Sequence, residues 1–122
     1  MKNRLFITEL ILILLFVGMV LSGCGSDSFV LDAPGCTATW NVNTTWVAWS
    51  KVEGAYYYEL YGIKYNKDKE APPHNLKDFK LIETNLTKSP YVHNTIDDYS
   101  YAVKAVNDKG ESSDFSNVAF TW

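Results

Sequence analysis

The sequence predicts a small all-β protein, a two-layered β-sandwich of seven short strands. The first observation is the stretch from Thr45 to Gly62, where outward and inward positions alternate on either side of the connection Ser50 to Ala55. Period-two alternation rich in β-branched and aromatic residues indicates two strands and their connection. The second observation is a series of further short segments of this kind, separated by turn residues and without a helical period. This spacing is typical of a sandwich.

The 122 residues are predicted to divide into three parts. Residues 1–23 form a targeting segment, residues 24–33 a short linker, and residues 34–122 a single domain close to the commonest domain size. Aromatic residues make up 15% of the chain, which provides enough bulk to fill a two-layer core. The net charge of −3 argues against a nucleic-acid partner, because such partners need a basic surface.

Each strand of the domain is predicted from alternating apolar side chains bounded by polar, glycine or proline turns. The first strand places Cys36, Ala38 and Trp40 on one apolar face. A long charged connection, Asn66 to Asn75, follows the third strand. The buried face of the central pair carries Val47, Trp49, Tyr58 and Leu60, and the later strands are Phe79 to Ile82, Tyr91 to His93, Tyr99 to Ala105 and Val118 to Trp122.

The N-terminus has the pattern of a secretory signal. Lys2 and Arg4 precede an apolar run from Leu10 to Leu21, and the small residues before Cys24 follow. A positive end, an apolar centre and small residues before a cleavage site are the features of a signal peptide. The alternative is an uncleaved transmembrane anchor, but the run is shorter than the roughly 20 residues that span a bilayer.

The four residues Leu21-Ser22-Gly23-Cys24 resemble the lipobox of bacterial lipoproteins. The resemblance implies cleavage between Gly23 and Cys24 and attachment of lipid to the Cys24 thiol. A single acyl chain binds a membrane marginally, whereas two or three hold a protein stably. The implied location is the bacterial cell envelope, on the extracytoplasmic side of a membrane, with inner and outer membrane both open.

The body resembles a fibronectin type III domain in four successive segments. These are Trp49, the V-x-G-A-x-x-Y-x-L-Y of Val52 to Tyr61, the Y-x-Y-x-V-x-A-V-N of Tyr99 to Asn107, and the G-E-S…S-N of Gly110 to Asn117. The resemblance implies an immunoglobulin-like sandwich in which the Tyr99 hydroxyl bonds to nearby backbone as a tyrosine corner. The core residues that it implies are Trp49, Tyr58, Leu60, Tyr99, Tyr101 and Val103.

No grouping of residues typical of catalysis or metal binding is present in the sequence. His74 and His93 have no partner at a recognisable spacing, and the adjacent Asp97 and Asp98 are too few for a calcium site. We therefore expect no enzymatic activity, no cofactor and no metal. Cys36 is either a small buried hydrophobe or a thiol that pairs with another chain.

The candidate binding residues are Trp46, Tyr57 and Tyr61, which by strand parity face away from the core. Aromatic side chains bury a large area at low entropic cost and can anchor a protein or a glycan. The alternative is that they pack against neighbours on the outer surface.

The function predicted from these features is that of a membrane-tethered lipoprotein with a non-catalytic protein- or glycan-binding module. The alternative is a structural or assembly subunit of a cell-envelope complex, held by pairing of β-strand edges. The membrane, through the lipid, and an unknown protein or glycan are the expected partners.

Overall fold

The computed structural model of the chain describes residues 31–121. The predicted signal segment, its cleavage between Gly23 and Cys24, and the lipidation of Cys24 lie outside these residues, as does Trp122. Within them, the all-β class with two antiparallel sheets is confirmed. No helix between residues 31 and 121 has the length and apolar character needed to span a membrane.

Each sheet joins consecutive strands to strands that are distant in the sequence. One sheet has the order β1-β2-β5 and the other β4-β3-β6-β7, and all pairings are antiparallel. A short 3₁₀ helix, Leu76–Asp78, ends the long connection before β4. The strands are β1 (Cys36–Asn41), β2 (Thr44–Trp49), β3 (Tyr57–Tyr65), β4 (Lys80–Leu86), β5 (Tyr91–His93), β6 (Asp98–Val106) and β7 (Ala119–Phe120).

The core lies between the sheets and is filled from the central strands. The Trp49 ring packs against the Tyr58 ring with centroids 5.6 Å apart. The Tyr58 hydroxyl accepts a hydrogen bond from the Val52 N–H at 2.8 Å, so the ring fixes the connection between β2 and β3. Leu60, Tyr101 and Val103 have no exposed surface. Apolar burial of this kind contributes about 25 cal/mol per Å² of area removed from water.

Leu31, inside the segment predicted as a linker, is buried in this core. It packs against Gly54, where an added Cβ would lie 3.2 Å from the Leu31 Cδ2 atom and where φ is +88°. Glycine is therefore required at position 54 both for space and for its left-handed backbone. Because it is buried in the core, Leu31 is part of the packed body.

The first strand departs from the prediction at its end. Cys36 is buried and Ala38 half-buried, but Trp40 on the same face is 56% exposed. Trp40 lies next to the hairpin turn, opposite Thr45. Trp40 lies on the inward-facing side of β1 but near the end of the strand. Alternation in the sequence predicts which way a side chain points, but not how far along the strand the core extends.

The last strands also differ from the predicted bounds. β4 continues to Leu86 instead of stopping at Ile82, and β7 is limited to Ala119–Phe120. Ala119, rather than Val118 or Phe120, is the buried apolar residue, because it pairs with the inward-facing Tyr101.

The segment before β7 is held against β6 by two serine side chains and not by regular strand pairing. The Ser113 Oγ accepts from the Ala105 N–H at 2.9 Å, and the Ser116 Oγ accepts from the Val103 N–H at 2.8 Å. The N–H groups of Ser113 and Ser116 donate to the carbonyls of the same two β6 residues. Both serines are buried, so the segment is fixed along β6 without strand geometry.

The tyrosine-corner role implied for Tyr99 is not found within residues 31–121, where the Tyr99 hydroxyl bonds to no backbone group. Its ring instead stacks on Tyr101, with centroids 5.6 Å apart, and meets the His93 ring edge-on at 4.8 Å. The Tyr101 hydroxyl lies 2.8 Å from His93 Nδ1. Burial lowers the pKa of His93, opposed by nearby Asp97, and burial raises the pKa of Tyr101. A neutral His93 and a protonated Tyr101 hydroxyl can share this hydrogen bond, with the donor set by the tautomer of His93.

Gly62→Ala should destabilise the fold, because the new Cβ would lie 2.7 Å from Ile82 Cδ1 and 3.0 Å from the Ser100 carbonyl oxygen. We expect the free energy of unfolding in urea to fall by about 1–3 kcal/mol, the usual cost of overpacking. Gly35→Ala is the matched control, since its nearest neighbour is 3.6 Å away. Equal stability of the two variants would contradict the close packing of β3 against β4.

Acidification should destabilise the fold through His93. Its folded pKa lies below the unfolded value of about 6.5, so the unfolded state binds the extra proton first. This stabilisation is present above the unfolded pKa and is lost as pH falls through it toward the lowered folded value. His93→Asn, which keeps a polar side chain that can hydrogen-bond to Tyr101 but cannot be protonated in this range, should show a smaller loss of unfolding free energy between pH 7.5 and 5. An unchanged loss in His93→Asn would exclude His93 as its source.

Candidate functional site

The structure separates the three candidate aromatic residues. Trp46 lies on β2 in the three-stranded sheet, whereas Tyr57 and Tyr61 lie on β3 in the four-stranded sheet. All three side chains alternate with buried neighbours along their strands. Because the outer faces of a sandwich point in opposite directions, Trp46 cannot share a site with the two tyrosines. The sandwich therefore has two candidate surfaces.

The outer face of the three-stranded sheet is open to solvent. Trp46 is 43% exposed and Val92, directly opposite it on β5, is 39% exposed. Thr39 of β1 lies opposite Trp46 on the other side and is also exposed. We call these three residues the Trp46 row. They lie side by side across adjacent strands, which are spaced about 4.8 Å apart.

This sheet carries no formal charge along its strands. β1, β2 and β5 contain no aspartate, glutamate, lysine or arginine, although such residues are 20% of the chain. Threonine hydroxyls and apolar side chains make up the surface around Trp46 instead. The Trp46 row can therefore bury against another molecule without desolvating a charge, which is the most costly part of polar burial.

The outer face of the four-stranded sheet is covered. Ser100 and Ala102 point outward, since they alternate with core residues of β6, yet neither has exposed surface. Tyr65, also on the outer side of β3, is buried and donates a hydrogen bond from its hydroxyl to the Thr121 carbonyl at 2.9 Å. The ring of His74, from the long connection, packs edge-on against Phe120 at 5.8 Å. Much of this face is consequently occupied by the chain itself.

Tyr61 is held by neighbours on the same face. Its ring meets Phe115 edge-on at 5.1 Å, and the Lys104 ammonium lies 4.4 Å from the Phe115 ring centroid. Its hydroxyl donates to Glu59 at 3.0 Å. Burial, followed by the hydrogen bond and negative charge of Glu59, raises the pKa of Tyr61. These contacts satisfy the polar atom of Tyr61 and use part of its ring, while Tyr57 lies half-buried opposite Val106.

Phe115, the residue that covers Tyr61, was not predicted from the sequence. It lies in the segment where Ser113 and Ser116 bond to β6, so no strand alternation marks it. The strongest available signal was its position inside the G-E-S…S-N segment, between Ser113 and Ser116, which bond the chain to β6.

The titratable residues considered as metal ligands or catalysts are dispersed. Within residues 31–121, no three histidine, cysteine, aspartate or glutamate side chains come together as a metal site. Asp97 forms an ion pair with Lys64 at 3.4 Å. Cys36 is buried and unpaired among these residues, and burial raises the pKa of its thiol to about 11, against a smaller opposing effect of Ser116. Such a thiol is a poor nucleophile at neutral pH.

A shallow cleft of about 350 Å³ lies at one end of the sandwich. It is formed by the connection between β2 and β3 and by Thr87 and Ser89 after β4, with Trp49 and Tyr58 along its wall. The Ser89 hydroxyl is already occupied, since it accepts a hydrogen bond from the Trp49 N–H at 3.0 Å. The cleft therefore offers fewer free polar groups than its lining suggests.

The turn between β6 and the following segment is organised by one buried asparagine. The Asn107 side-chain oxygen accepts hydrogen bonds from the N–H groups of Lys109 and Glu111, each at 2.9 Å. Gly110 between them has φ +82°. The arrangement is that of a tight turn closed by its own side chain.

Two of the solved structures with similar folds are fibronectin type III proteins by description. An Fn3-like protein from Clostridium thermocellum is 25% identical, with a TM-score of 0.55 over 73% of this chain and 88% of that chain. The FN3tt mut protein is 28% identical, with a TM-score of 0.55 over 75% of this chain and 93% of that chain. Pectate lyase Pel3 from Pectobacterium carotovorum is 18% identical, with a TM-score of 0.57 over 73% of this chain and 26% of that chain, a likeness in fold alone.

No protein-family model matches the chain, and no curated protein matches it. The strand order, the two antiparallel sheets and the Fn3-like neighbours agree with one another. Together they support a fibronectin type III domain as the folded body of this chain.

Proposed function

We propose that this chain is a bacterial lipoprotein, anchored through Cys24 to the extracytoplasmic side of a membrane, whose domain binds a protein or glycan without catalysis. The Fn3-like fold suggests a binding or structural module. The observation that carries the choice of surface is the open, uncharged face around Trp46. Because a fold of this type hosts many functions, the binding site is inferred from the exposed surface and not from the fold.

The Trp46 row is favoured over Tyr57 and Tyr61 because of what covers each surface. Tyr61 is packed by Phe115 and bonded to Glu59, and a ligand would have to displace those contacts. Trp46 has no ring contact with another aromatic residue among residues 31–121. An exposed tryptophan surrounded by uncharged neighbours has the properties of an interface anchor, since tryptophan is enriched among residues that dominate binding energy.

The ligand surface that fits this face is neutral. A charged ligand would find no opposite charge on β1, β2 or β5 and would lose hydration without compensation. Trp46 supplies an aromatic face and Thr39 a hydroxyl, which can serve either the ring face and hydroxyls of a neutral sugar or an uncharged protein surface. Both kinds of ligand would present a neutral surface to Trp46, and the experiment below distinguishes a protein from a glycan.

The absence of catalysis in this proposal is supported by the state of the reactive groups. His93 is bonded to Tyr101 in the interior of the sandwich end, and the Cys36 thiol is buried with a raised pKa. General acid–base or nucleophilic catalysis needs such a group within reach of a bound substrate.

The proposed lipid anchor is consistent with the short segment before the domain. The chain from Cys24 to Leu31 reaches about 25 Å when fully extended. Because Leu31 is part of the core, lipid on Cys24 would hold the folded body close to the membrane surface. The ligand would then be another component of the same envelope or a molecule that approaches it.

Trp46→Ala should weaken retention of the purified, lipid-free body, residues 31–122, on a cell-envelope fraction by at least tenfold, which corresponds to about 1.4 kcal/mol. Tyr61→Ala is the matched control, because it removes an aromatic side chain from the opposite sheet. Protease treatment of the fraction should abolish retention if the ligand is a protein, and periodate oxidation should abolish it if the ligand is a glycan. Equal retention of wild type and Trp46→Ala would contradict this surface.

Cells that express the wild-type chain should incorporate radiolabelled palmitate into it, and Cys24→Ser should abolish the label. Removing the thiol removes the atom to which the lipid is attached. Cys36→Ser is the matched control and should label normally; equal labelling of the wild type and Cys24→Ser would exclude the anchor.

A further inference from the structure

The open edge of the three-stranded sheet is strand β1. Asn41 and Thr44 flank a two-residue turn in which Val42 and Asn43 both have positive φ, 33° and 62°. In a hairpin of this kind the flanking residues form a hydrogen-bonded pair, and such pairs alternate along the ladder. The backbone groups of residues 37, 39 and 41 therefore point to β2, and those of residues 36, 38 and 40 point away from it.

The hydrogen bonds of Cys36 verify this alternation. Its N–H donates to the Asn117 side-chain oxygen, and its carbonyl accepts from the Asn117 side-chain nitrogen, both at 2.9 Å. Asn117 thus closes the beginning of the edge. The backbone N–H and C=O groups of Ala38 and Trp40 remain, and none of the strands within residues 31–121 pairs with them.

The other sheet edges carry features that discourage pairing, and β1 does not. β4 contains Lys80 and Glu83 and has register shifts, while β5 and β7 are only three and two residues long. Charges, irregular register and short length are the usual protections of an edge. β1 has six residues in continuous register, with no charge, no proline and no bulge.

We propose that β1 pairs with β1 of a second copy of this chain, antiparallel and centred on Thr39. In this register Ala38 of each copy lies opposite Trp40 of the other. Because both residues turn their backbone groups to the open edge, the two pairs form about four N–H···O=C bonds. The two three-stranded sheets then become one continuous sheet.

The side chains of β1 fit a second copy better than an unrelated strand. Trp40 is 56% exposed although it lies on the inward-facing side of its strand, and in the pair it packs beside the small Ala38 of the other copy. A homodimer places like residues near each other, and a strand without charged residues brings no like charges together at the seam. The interface is isologous, as two-fold pairing requires.

The pairing would also join the two Trp46 rows. Trp46 lies opposite Thr39, and Thr39 of one copy would lie opposite Thr39 of the other. The two tryptophans would then be separated by three strand spacings, about 14 Å, on one uncharged face. A repetitive ligand could engage both, with the gain expected of two linked sites. The dimer itself does not depend on the proposed lipid anchor or ligand.

The test uses the full chain in membranes of cells that express it, with Thr39→Cys as the probe. At the two-fold centre the two Cα atoms of residue 39 form a non-hydrogen-bonded pair about 4.5 Å apart, within the range of a disulfide. Mild oxidation should convert most of the protein to a dimer that reduction reverses. Thr37→Cys, on the same exposed face, would lie opposite Asn41 of the second copy and should stay monomeric. Equal crosslinking of the two variants would overturn the register.

Two substitutions added to Thr39→Cys test the edge itself. Ala38→Pro removes an N–H that points away from β2, a place where an edge strand tolerates proline, and should reduce the disulfide dimer at least tenfold. Ala38→Ser keeps the N–H and should crosslink normally. Trp40→Glu changes an exposed side chain and should also abolish the dimer, which covers the case that Ala38→Pro fails to fold.

Undiminished crosslinking in both Ala38→Pro and Trp40→Glu would overturn the proposal, as would a disulfide to a protein of different mass. Trp46→Ala should leave the crosslink unchanged, since its side chain is not at the edge. Loss of ligand retention in that variant and loss of the dimer in Trp40→Glu are therefore separate results, and either proposal can fail without the other.

Discussion

The pairing of β3 with β6 determines which side of the domain each residue faces. The two strands are in unbroken register over their full lengths, and because side chains alternate, a slip of one residue would exchange the core and the surface. Leu60 and Val103, opposite each other, are fully buried. Glu59 and Lys104, the next pair, face outward and meet the Tyr61 and Phe115 cluster. Core and covered outer face thus follow from one register.

The two sheets differ in how their outer faces are completed. Long connections fold back over the outer face of the four-stranded sheet, so that even the outward-facing Ser100 and Ala102 are buried. The three-stranded sheet has a two-residue turn between β1 and β2 and no covering segment over Trp46 within residues 31–121. This open, uncharged surface is the one proposed to bind a partner. Which aromatic side chains stay open to solvent therefore depends on the length of the connections as well as on strand alternation.

Alternation in the sequence was enough to predict the class of fold and the inward residues of the central strands, such as Val47, Trp49 and Leu60, because parity is a local property. It failed at Trp40, whose exposure depends on where the opposite sheet ends. It also could not rank Trp46 above Tyr61. That difference is made by Phe115 and by the connection that covers β6, and coverage by distant segments has no period in the sequence. The resemblance of Tyr99 to a corner tyrosine failed because His93 and Tyr101 offer its ring a packed position instead.

The turn between β1 and β2 fixes the register on which both proposed surfaces, the Trp46 row and the open edge of β1, depend. Val42 has φ 33°, a conformation that is unfavourable for a β-branched residue and costs of order 1–3 kcal/mol. It persists because the two-residue turn fixes the pairing of Asn41 with Thr44, and a turn of different length would shift that register. A one-residue shift of β2 would turn Trp46 into the core, and a one-residue shift of β1 would direct the backbone of Thr39, not of Ala38 and Trp40, to the edge. The strained turn, the open aromatic face and the unprotected edge are thus consequences of the same register.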